Sequence, residues 1–433
     1  MQIIKKILTF VLTIESRLIL AKYKPFIIAV TGSVGKTSTK DAIYTALRSG
    51  EGYIRKSEKS MNSEIGLPLT IIGVPNAWKS LSGWVKNIWT GIILILSRAQ
   101  YPDCLVLEIG ADHPNDIRSV AKWLRPNIAV ITKIANTPVH VEFFKSANEV
   151  FEEKAFLATN VREGGAVILY GDDDKVLSIA NMVENKKVKV ITFGMSQNAE
   201  IRGVNGHIVY ENNVPTGFVS SIEIDGKNYE IFNKKVLGNT FIYPNLCAMA
   251  VIKAKGLNIE KAITALQNHE SPKGRMNVLS GLKETVIIDD SYNSSPDAVI
   301  SALETLKSIQ TGGKKIAVLG DMMELGKFSV DQHRDIGKRV AEVADILITV
   351  GSRSYATADE AQKSGMQRKN IFSFDRSTEV ASQLLEIISP NDVILVKGSQ
   401  SVRMERVVKT LLKDQGKADR LLVRQEKGWL EKV

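Results

Sequence analysis

Cysteine is nearly missing from this 433-residue chain, which has only Cys104 and Cys247. Two thiols exclude a disulfide framework and a four-cysteine zinc ribbon, and they fit a reducing cytoplasm. Long apolar runs are missing too. The candidates, Ile7–Leu20 and Ile88–Leu96, fall short of the ~20 apolar residues that cross a bilayer. Glu15 and Arg17 interrupt the first, and no small-residue cleavage site follows it, which argues against a secretory signal. There is no internal repeat and no low-complexity tract. Aromatics are only 6% of the chain and do not interleave with the short basic blocks at Lys186–Lys189 and Lys314–Lys315. A nucleic-acid groove is therefore not expected.

What is present is the balance of a soluble globular protein, 44% hydrophobic and 24% charged. The length predicts two or three domains. An excess of 57 Lys and Arg over 47 Asp and Glu gives a net charge of +10, spread along the chain. That bias suits anionic small molecules such as nucleotides. Residues 1–24 and 78–98 have helical periodicity. In the second, Leu81, Trp84, Val85, Ile88, Trp89, Ile92 and Leu96 fall on one face. Packing of that face on a domain is the favoured reading. The alternative is peripheral membrane contact through 1–24 and 78–98, since Lys79, Lys86 and Arg98 flank an apolar face with two tryptophans.

Residues 25–40 read strand, glycine loop, helix: the apolar run Phe26–Val30, then TGSVGKTSTK, then Asp41–Leu47. Further strand-like runs at Cys104–Leu107, Ile128–Ile131, Ala166–Leu169 and Val188–Ile191 alternate with helical stretches. That order predicts a largely parallel α/β sheet. Alternation and turn signals over 199–236 predict a small antiparallel β insertion. A second α/β series, with strands at Val286–Ile288, Ile316–Leu319, Ile346–Val350 and Val393–Val396, places a boundary near 280.

The strongest local signal is TGSVGKTSTK. A glycine loop between strand and helix turns backbone N–H groups toward an anion, and the helix dipole adds to the attraction. Lys36 suits terminal phosphates, and the Thr37 hydroxyl suits magnesium. The strict P-loop pattern wants a glycine where Val30 stands, so this is a variant loop with Gly32 and Gly35. Glu108 ends a strand, at the edge where open α/β sheets place ligands, and suits magnesium. On spacing alone His140 reads as structural and Lys154, behind Glu152 and Glu153, as half of a surface ion pair. Adjacent acids Asp289 and Asp290 could cap a helix, hold a ribose or bind metal, with capping preferred for Asp289. Arg275 and Lys397 are cations near strand ends, suited to phosphate or carboxylate.

Taken in order, TGSVGKTSTK, NSEIGLPLT (62–70), LEIGADHPNDI (107–117), the His140 loop with Lys154, KGRM (273–276), DDSYNSSPD (289–297), VLGDMMELG (318–326) and VKGSQSVRME (396–405) resemble the Mur ligase family. These are ATP-dependent amide-bond-forming enzymes of peptidoglycan precursor assembly. The resemblance runs from about residue 25 to at least 410 and implies a central P-loop ATPase domain, here 25–280 with the β insertion, and a Rossmann-like α/β domain, here 281–433, that closes on it. Ahead of them, residues 1–24 read as an amphipathic helix.

The resemblance implies that Lys36 and the loop Gly32, Ser33, Val34, Gly35, with Thr37 and Ser38, bind ATP phosphates. Thr37 and Glu108 would hold one magnesium ion. His140 would hold a second, together with Lys154 carrying a carbamate made from carbon dioxide. Arg275 would reach the γ-phosphate and Asp290 the ribose, with Asn293 beside the nucleotide. Asn62, Ser63, Lys397 and Ser399 would lie near substrate. The chemistry implied is activation of a carboxylate as an acyl phosphate, followed by amine attack. The substrates implied are a UDP-muramoyl-tripeptide and D-alanyl-D-alanine, handled by a cytoplasmic enzyme; a monomer is expected.

Three positions depart from the family pattern. Only 24 residues precede the ATPase strand, where the family usually has a domain gripping the uridine nucleotide. Lys133 stands where Asn is usual, and Thr240–Phe241 where a His-containing adenine contact is common. Two other readings stay open: a related amide ligase, such as a polyglutamate-forming one, and a non-catalytic nucleotide-binding scaffold.

Overall fold

The computed structural model describes residues 2–50, 52–58, 61–78, 80–134, 143–238 and 241–431, and within them the chain builds two sheets in succession. The first takes β1 (Phe26–Thr31), β2 (Ile54–Lys56), β3 (Cys104–Glu108), β4 (Ile128–Ile131) and β5 (Ala166–Tyr170). It continues through β6 (Lys189–Gly194), β7 (Ile201–Glu211), β8 (Val214–Ile224) and β9 (Lys227–Lys234). The order is β2-β3-β1-β4-β5-β6-β7-β8-β9. Pairing is parallel as far as β7, and β7–β9 form an antiparallel meander. The β insertion expected over 199–236 is therefore real, and it extends the main sheet.

Val30 of β1 stands beside Glu108 of β3, and Thr31 beside Ile131 of β4. Three parallel strands thus end level, and a crevice opens beyond their carboxyl ends. Ile27, Ile28, Ala29 and Val30 are wholly buried. A run covered on both faces by helices needs no polar alternation, which is why it reads as continuously apolar in sequence. The covering helices include α1 (Gln2–Tyr23), α2 (Lys36–Leu47), α3 (Gly66–Ile72), α4 (Leu81–Leu96), α5 (Asp116–Leu124) and α6 (Ala147–Thr159).

The second sheet comprises β10 (Asn277–Ser280), β11 (Val286–Asp290), β12 (Lys315–Gly320), β13 (Ile346–Val350), β14 (Ile371–Phe374) and β15 (Val393–Lys397), in the order β10-β11-β15-β12-β13-β14. Only β10 runs antiparallel to its neighbour. Residue 280, near which the boundary is expected, ends β10, which is already part of the second sheet. Leu237 and Met276 already belong to the apolar core of that second sheet. The sequence reading does not anticipate β2, β10 or β14. All three are edge strands of three or four residues, and each buries a single one of them, so none carries a continuous apolar run.

Helices α1 and α4 pack side by side and differ from expectation in which face they bury. A Cβ on Gly91 would sit 2.4 Å from Glu15 Oε2, so the missing side chain makes the notch that receives the glutamate. Lys22 donates to the carbonyls of Leu94 and Ile95, both at 2.9 Å, capping the end of α4 with a cation. The small residues Asn87 and Gly91 therefore turn inward, with Trp84 and Ile88 packed on the core. Of the face expected to pack, Leu81, Val85, Trp89 and Leu96 remain exposed. On α1, Leu12, Ile19 and Leu20 are buried, whereas Ile7, Phe10, Ile14 and Leu18 are exposed.

Candidate active site

The glycine loop follows β1 directly. Gly32 has φ 146°, and a Cβ there would lie 1.9 Å from Thr132 Oγ1. Thr132 approaches because its hydroxyl donates to the carbonyls of Val34 (2.8 Å) and Thr31 (3.2 Å). Gly35 sits in the left-handed region at φ 82° and starts α2 without a side-chain cap. The N–H groups of Ser33 and Val34 donate to the Lys133 carbonyl. The donors left for an anion are consequently those of the first turn of α2, which have no partner within the helix. This narrows the expected cradle to Gly35, Lys36, Thr37 and Ser38. Ser33 contributes instead a buried hydroxyl that lacks a partner.

Lys36 folds back over the loop, its ammonium 3.0 Å from the Gly32 carbonyl. Burial pushes its pKa down, Glu108 and Asp112 oppose that shift, and Arg275 adds to it. Beside it, the Thr37 hydroxyl donates to Glu108 Oε2 at 2.9 Å. The other oxygen of Glu108 accepts from Asn62 Nδ2 at 3.3 Å. Asn62, expected near substrate, thus holds the Glu108 carboxylate. Ser63, expected likewise, accepts from the Gly66 N–H and caps α3. Both also line a cleft with Lys5, Gly110, Asp112 and His113.

Thr37 and Glu108 offer hard oxygens at the foot of the loop, the donor type magnesium takes alongside phosphate oxygens. Among the described residues there is no group of three or more His, Cys, Asp or Glu side chains able to hold a metal. A cation at Glu108 therefore relies on oxygens from a nucleotide or from residues outside the described set. His140 lies outside it, as does Thr240.

Lys154 reaches the same loop from α6. Its side chain is buried, and Nζ donates to the Gly32 carbonyl at 3.1 Å. Burial, reinforced by the Lys36 charge, pushes its pKa down to about 7. Surface pairing with the neighbouring acids, the bland expectation for a Lys among acids, does not occur. Glu153 turns away and accepts from the N–H groups of Ile117 and Arg118 at 2.7 and 2.8 Å, capping α5.

The second sheet faces this cradle across the KGRM segment. Arg275 lies over the Tyr292 ring, 4.3 Å from its centroid, and its charge depresses the pKa of both Lys36 and Lys397. Asp290, expected at a ribose, and Lys397, expected at the dipeptide, hold each other: Nζ and Oδ2 are 2.6 Å apart, both buried. Lys397 also donates to the Asn293 carbonyl at 3.0 Å, and Asp290 Oδ1 accepts from the Met276 N–H at 3.3 Å. Asp289 accepts from the Ser291 N–H at 3.1 Å and closes the turn after β11; the next helix starts at Pro296 behind Ser295, so the helix-capping role expected of Asp289 is not what the structure shows. Ser399 is buried and accepts from the Met323 N–H at 2.9 Å.

Two features here escape sequence reasoning. Arg424 donates to the Ser291 carbonyl and to Glu405 Oε2, both at 3.2 Å, and so clamps the DDSYN turn from the far end of the chain. Lys133, the departure from the family pattern, pairs with Asp297 at 3.2 Å and links β4's loop to the first turn of the helix Pro296–Ser308.

Comparison with known proteins agrees with this arrangement. The Mur ligase middle domain matches residues 84–252, and the Mur ligase glutamate ligase domain matches 274–400. The UDP-N-acetylmuramoyl-tripeptide–D-alanyl-D-alanine ligase of Bacillus subtilis is 28% identical over 401 residues, covering 89% of this chain and 76% of that protein. Its Escherichia coli counterpart is 26% identical over 393 residues, covering 89% and 76%. The crystal structure of the MurF ligase from Thermotoga maritima in complex with ADP superposes with a TM-score of 0.76 at 24% identity, over 95% of this chain and 84% of that one. With both Mur ligase domain types matched in order over most of its length, the chain belongs to the Mur ligase family.

Proposed function

We propose that this chain is an ATP-dependent ligase that joins D-alanyl-D-alanine to a UDP-N-acetylmuramoyl-tripeptide in peptidoglycan precursor synthesis. The observation that carries this reading is the convergence of Lys36, Thr37, Glu108 and Lys154 on one glycine loop, with Arg275 facing it.

A carboxylate resists amine attack because its negative charge repels the nucleophile and oxide is a poor leaving group. Its oxygen first attacks the γ-phosphorus of ATP, and ADP leaves. Carboxylate and γ-phosphate repel each other, so cations must gather around both. Lys36 and the first-turn amides of α2 hold the phosphates, and Arg275 approaches from the KGRM segment. Magnesium at Thr37 and Glu108 would neutralise further charge there. The dipeptide amine then attacks the acyl carbon and gives up a proton, and phosphate leaves. Apposition of the two sheets excludes water, which would hydrolyse the acyl phosphate.

Lys154 carries a carbamate in this reading. An amine with its pKa near 7 is substantially neutral at physiological pH, and only the neutral form attacks carbon dioxide. Nitrogen bonds to carbon, a proton departs, and a buried cation becomes an anionic oxygen donor beside the loop.

Phosphate release tests the proposal. It should require the muramoyl-tripeptide, the dipeptide and magnesium together. Release indifferent to the dipeptide would exclude this ligase reaction, and an acceptor panel that includes glutamate separates it from polyglutamate formation.

A further inference from the structure

Helices α1 and α4 present an apolar surface that no other described residue covers. Phe10 is 66% exposed and Trp89 61%, with Leu18, Val85 and Leu96 on the same two helices, and Trp78, just before α4, is 80% exposed. Ile7, Phe10, Ile14 and Leu18 recur at three- and four-residue steps, as do Leu81, Val85, Trp89, Ile93 and Leu96, so each helix carries a continuous stripe. The helices touch through Glu15 and Gly91, which brings the stripes onto adjoining elements.

The exposed charge carried by these two segments has one sign. The whole chain has 47 acidic residues, yet 1–24 contains only Glu15 and 78–98 none. Glu15 is buried against α4, whereas Lys5, Lys6, Arg17, Lys86 and Arg98 are exposed. A second copy of the same face would set these cations against each other. An anionic lipid surface complements them, and tryptophans over an apolar stripe with a basic rim are the composition that lies in a headgroup layer. No described helix is long and apolar enough to cross a membrane, so the contact would lie along the surface.

We propose that α1 and α4 form a docking face for anionic lipid headgroups, holding the enzyme on a membrane surface. Lys5, at the start of α1, also lines the cleft beside Asn62 and Ser63. Docking would therefore bring that cleft close to the lipid. The inference is independent of which dipeptide or acceptor the enzyme uses.

Flotation of the full chain tests it, with vesicles of phosphatidylcholine alone and with phosphatidylglycerol added. The chain should float with anionic vesicles at low salt, float poorly with neutral ones, and show a blue shift of tryptophan emission on binding. Phe10→Ser combined with Val85→Ser should lose most flotation, and Arg17→Gln and Lys86→Gln should each weaken it about fivefold. These side chains are exposed and lie outside the catalytic cradle, so phosphate release by the variants reports that they are folded. A chain that stays at the bottom with anionic vesicles overturns the proposal, as does flotation unchanged in the Phe10/Val85 variant. Sedimentation showing a dimer that this variant dissociates would assign the face to a second copy instead.

Discussion

Lys397 Nζ lies 2.6 Å from Asp290 Oδ2, with both side chains buried at the ends of adjacent parallel strands. The pair does more than link β11 to β15. Asp290 also accepts from the Met276 N–H, and Lys397 donates to the Asn293 carbonyl, so the KGRM segment and the DDSYN turn hang from one ion pair. Burial lowers the Lys397 pKa and Asp290 opposes it, so removing one partner strands the other charge. Lys397→Met should cost about 3–5 kcal/mol, as for other broken buried pairs, read by urea unfolding. The double variant Asp290→Asn/Lys397→Met should lose less than the sum of the single losses. Additive losses would show that the two are not coupled.

Asn62 and Glu108 make a separable prediction. In the proposed reaction Glu108 would hold magnesium, whereas Asn62 would only orient Glu108 through its 3.3 Å hydrogen bond. Glu108→Gln should abolish most phosphate release at any magnesium concentration. Asn62→Ala should raise the magnesium needed for half-maximal release roughly 10–100-fold, as loss of a supporting hydrogen bond commonly does, with kcat recovered at saturation. A kcat loss that magnesium does not restore would mean Asn62 contacts substrate directly.

Gly32 tests the cradle's shape. Alanine there would hold an unfavourable φ and press on Thr132 Oγ1, whose two hydrogen bonds fix the loop. Gly32→Ala should lose on the order of 1–3 kcal/mol of stability and the thermal shift that ATP confers. Thr132→Ala on that background should restore part of the stability by removing the close contact, but not all of it, because the backbone strain persists.

The legible parts of this molecule are local. Phe26–Thr37 announces itself because strand, glycine turn and helix start are consecutive in the chain, and Glu108 because it ends a buried strand. The roles of Asn62 and Ser63 are not readable, since a hydrogen bond to Glu108 and a cap on α3 depend on how distant segments meet. Glu153 misleads for the same reason: next to Lys154 in sequence, it serves α5 in space. The face of α4 was ambiguous because apolar residues almost encircle it, and the notch at Gly91 rather than hydrophobicity decides which side turns inward. Lys397 reads as a free cation at a strand end until β11 brings Asp290 beside it.

Lys154 gives a pH signature whose sign can be worked out. Burial lowers its pKa to about 7 from an ordinary value of 10.5. Below pH 7 both folded and unfolded chains bind the proton, and the folded state bears the full cost of a buried charge. Between 7 and 10.5 the folded chain holds fewer protons than the unfolded one, so stability rises with pH through that window. Lys154→Met removes the charge, so it should be more stable than the parent at pH 6, with the advantage shrinking towards pH 9. Urea unfolding of both proteins in carbonate-free buffer measures the difference, and subtraction cancels groups the two share. A difference independent of pH would mean that the amine is not titrating near neutrality. Added bicarbonate should then raise phosphate release by the parent with a midpoint near pH 7, while Lys154→Ala should respond only to short carboxylates that can occupy the vacated space. Failure of both responses would remove the basis for a carbamate at this lysine.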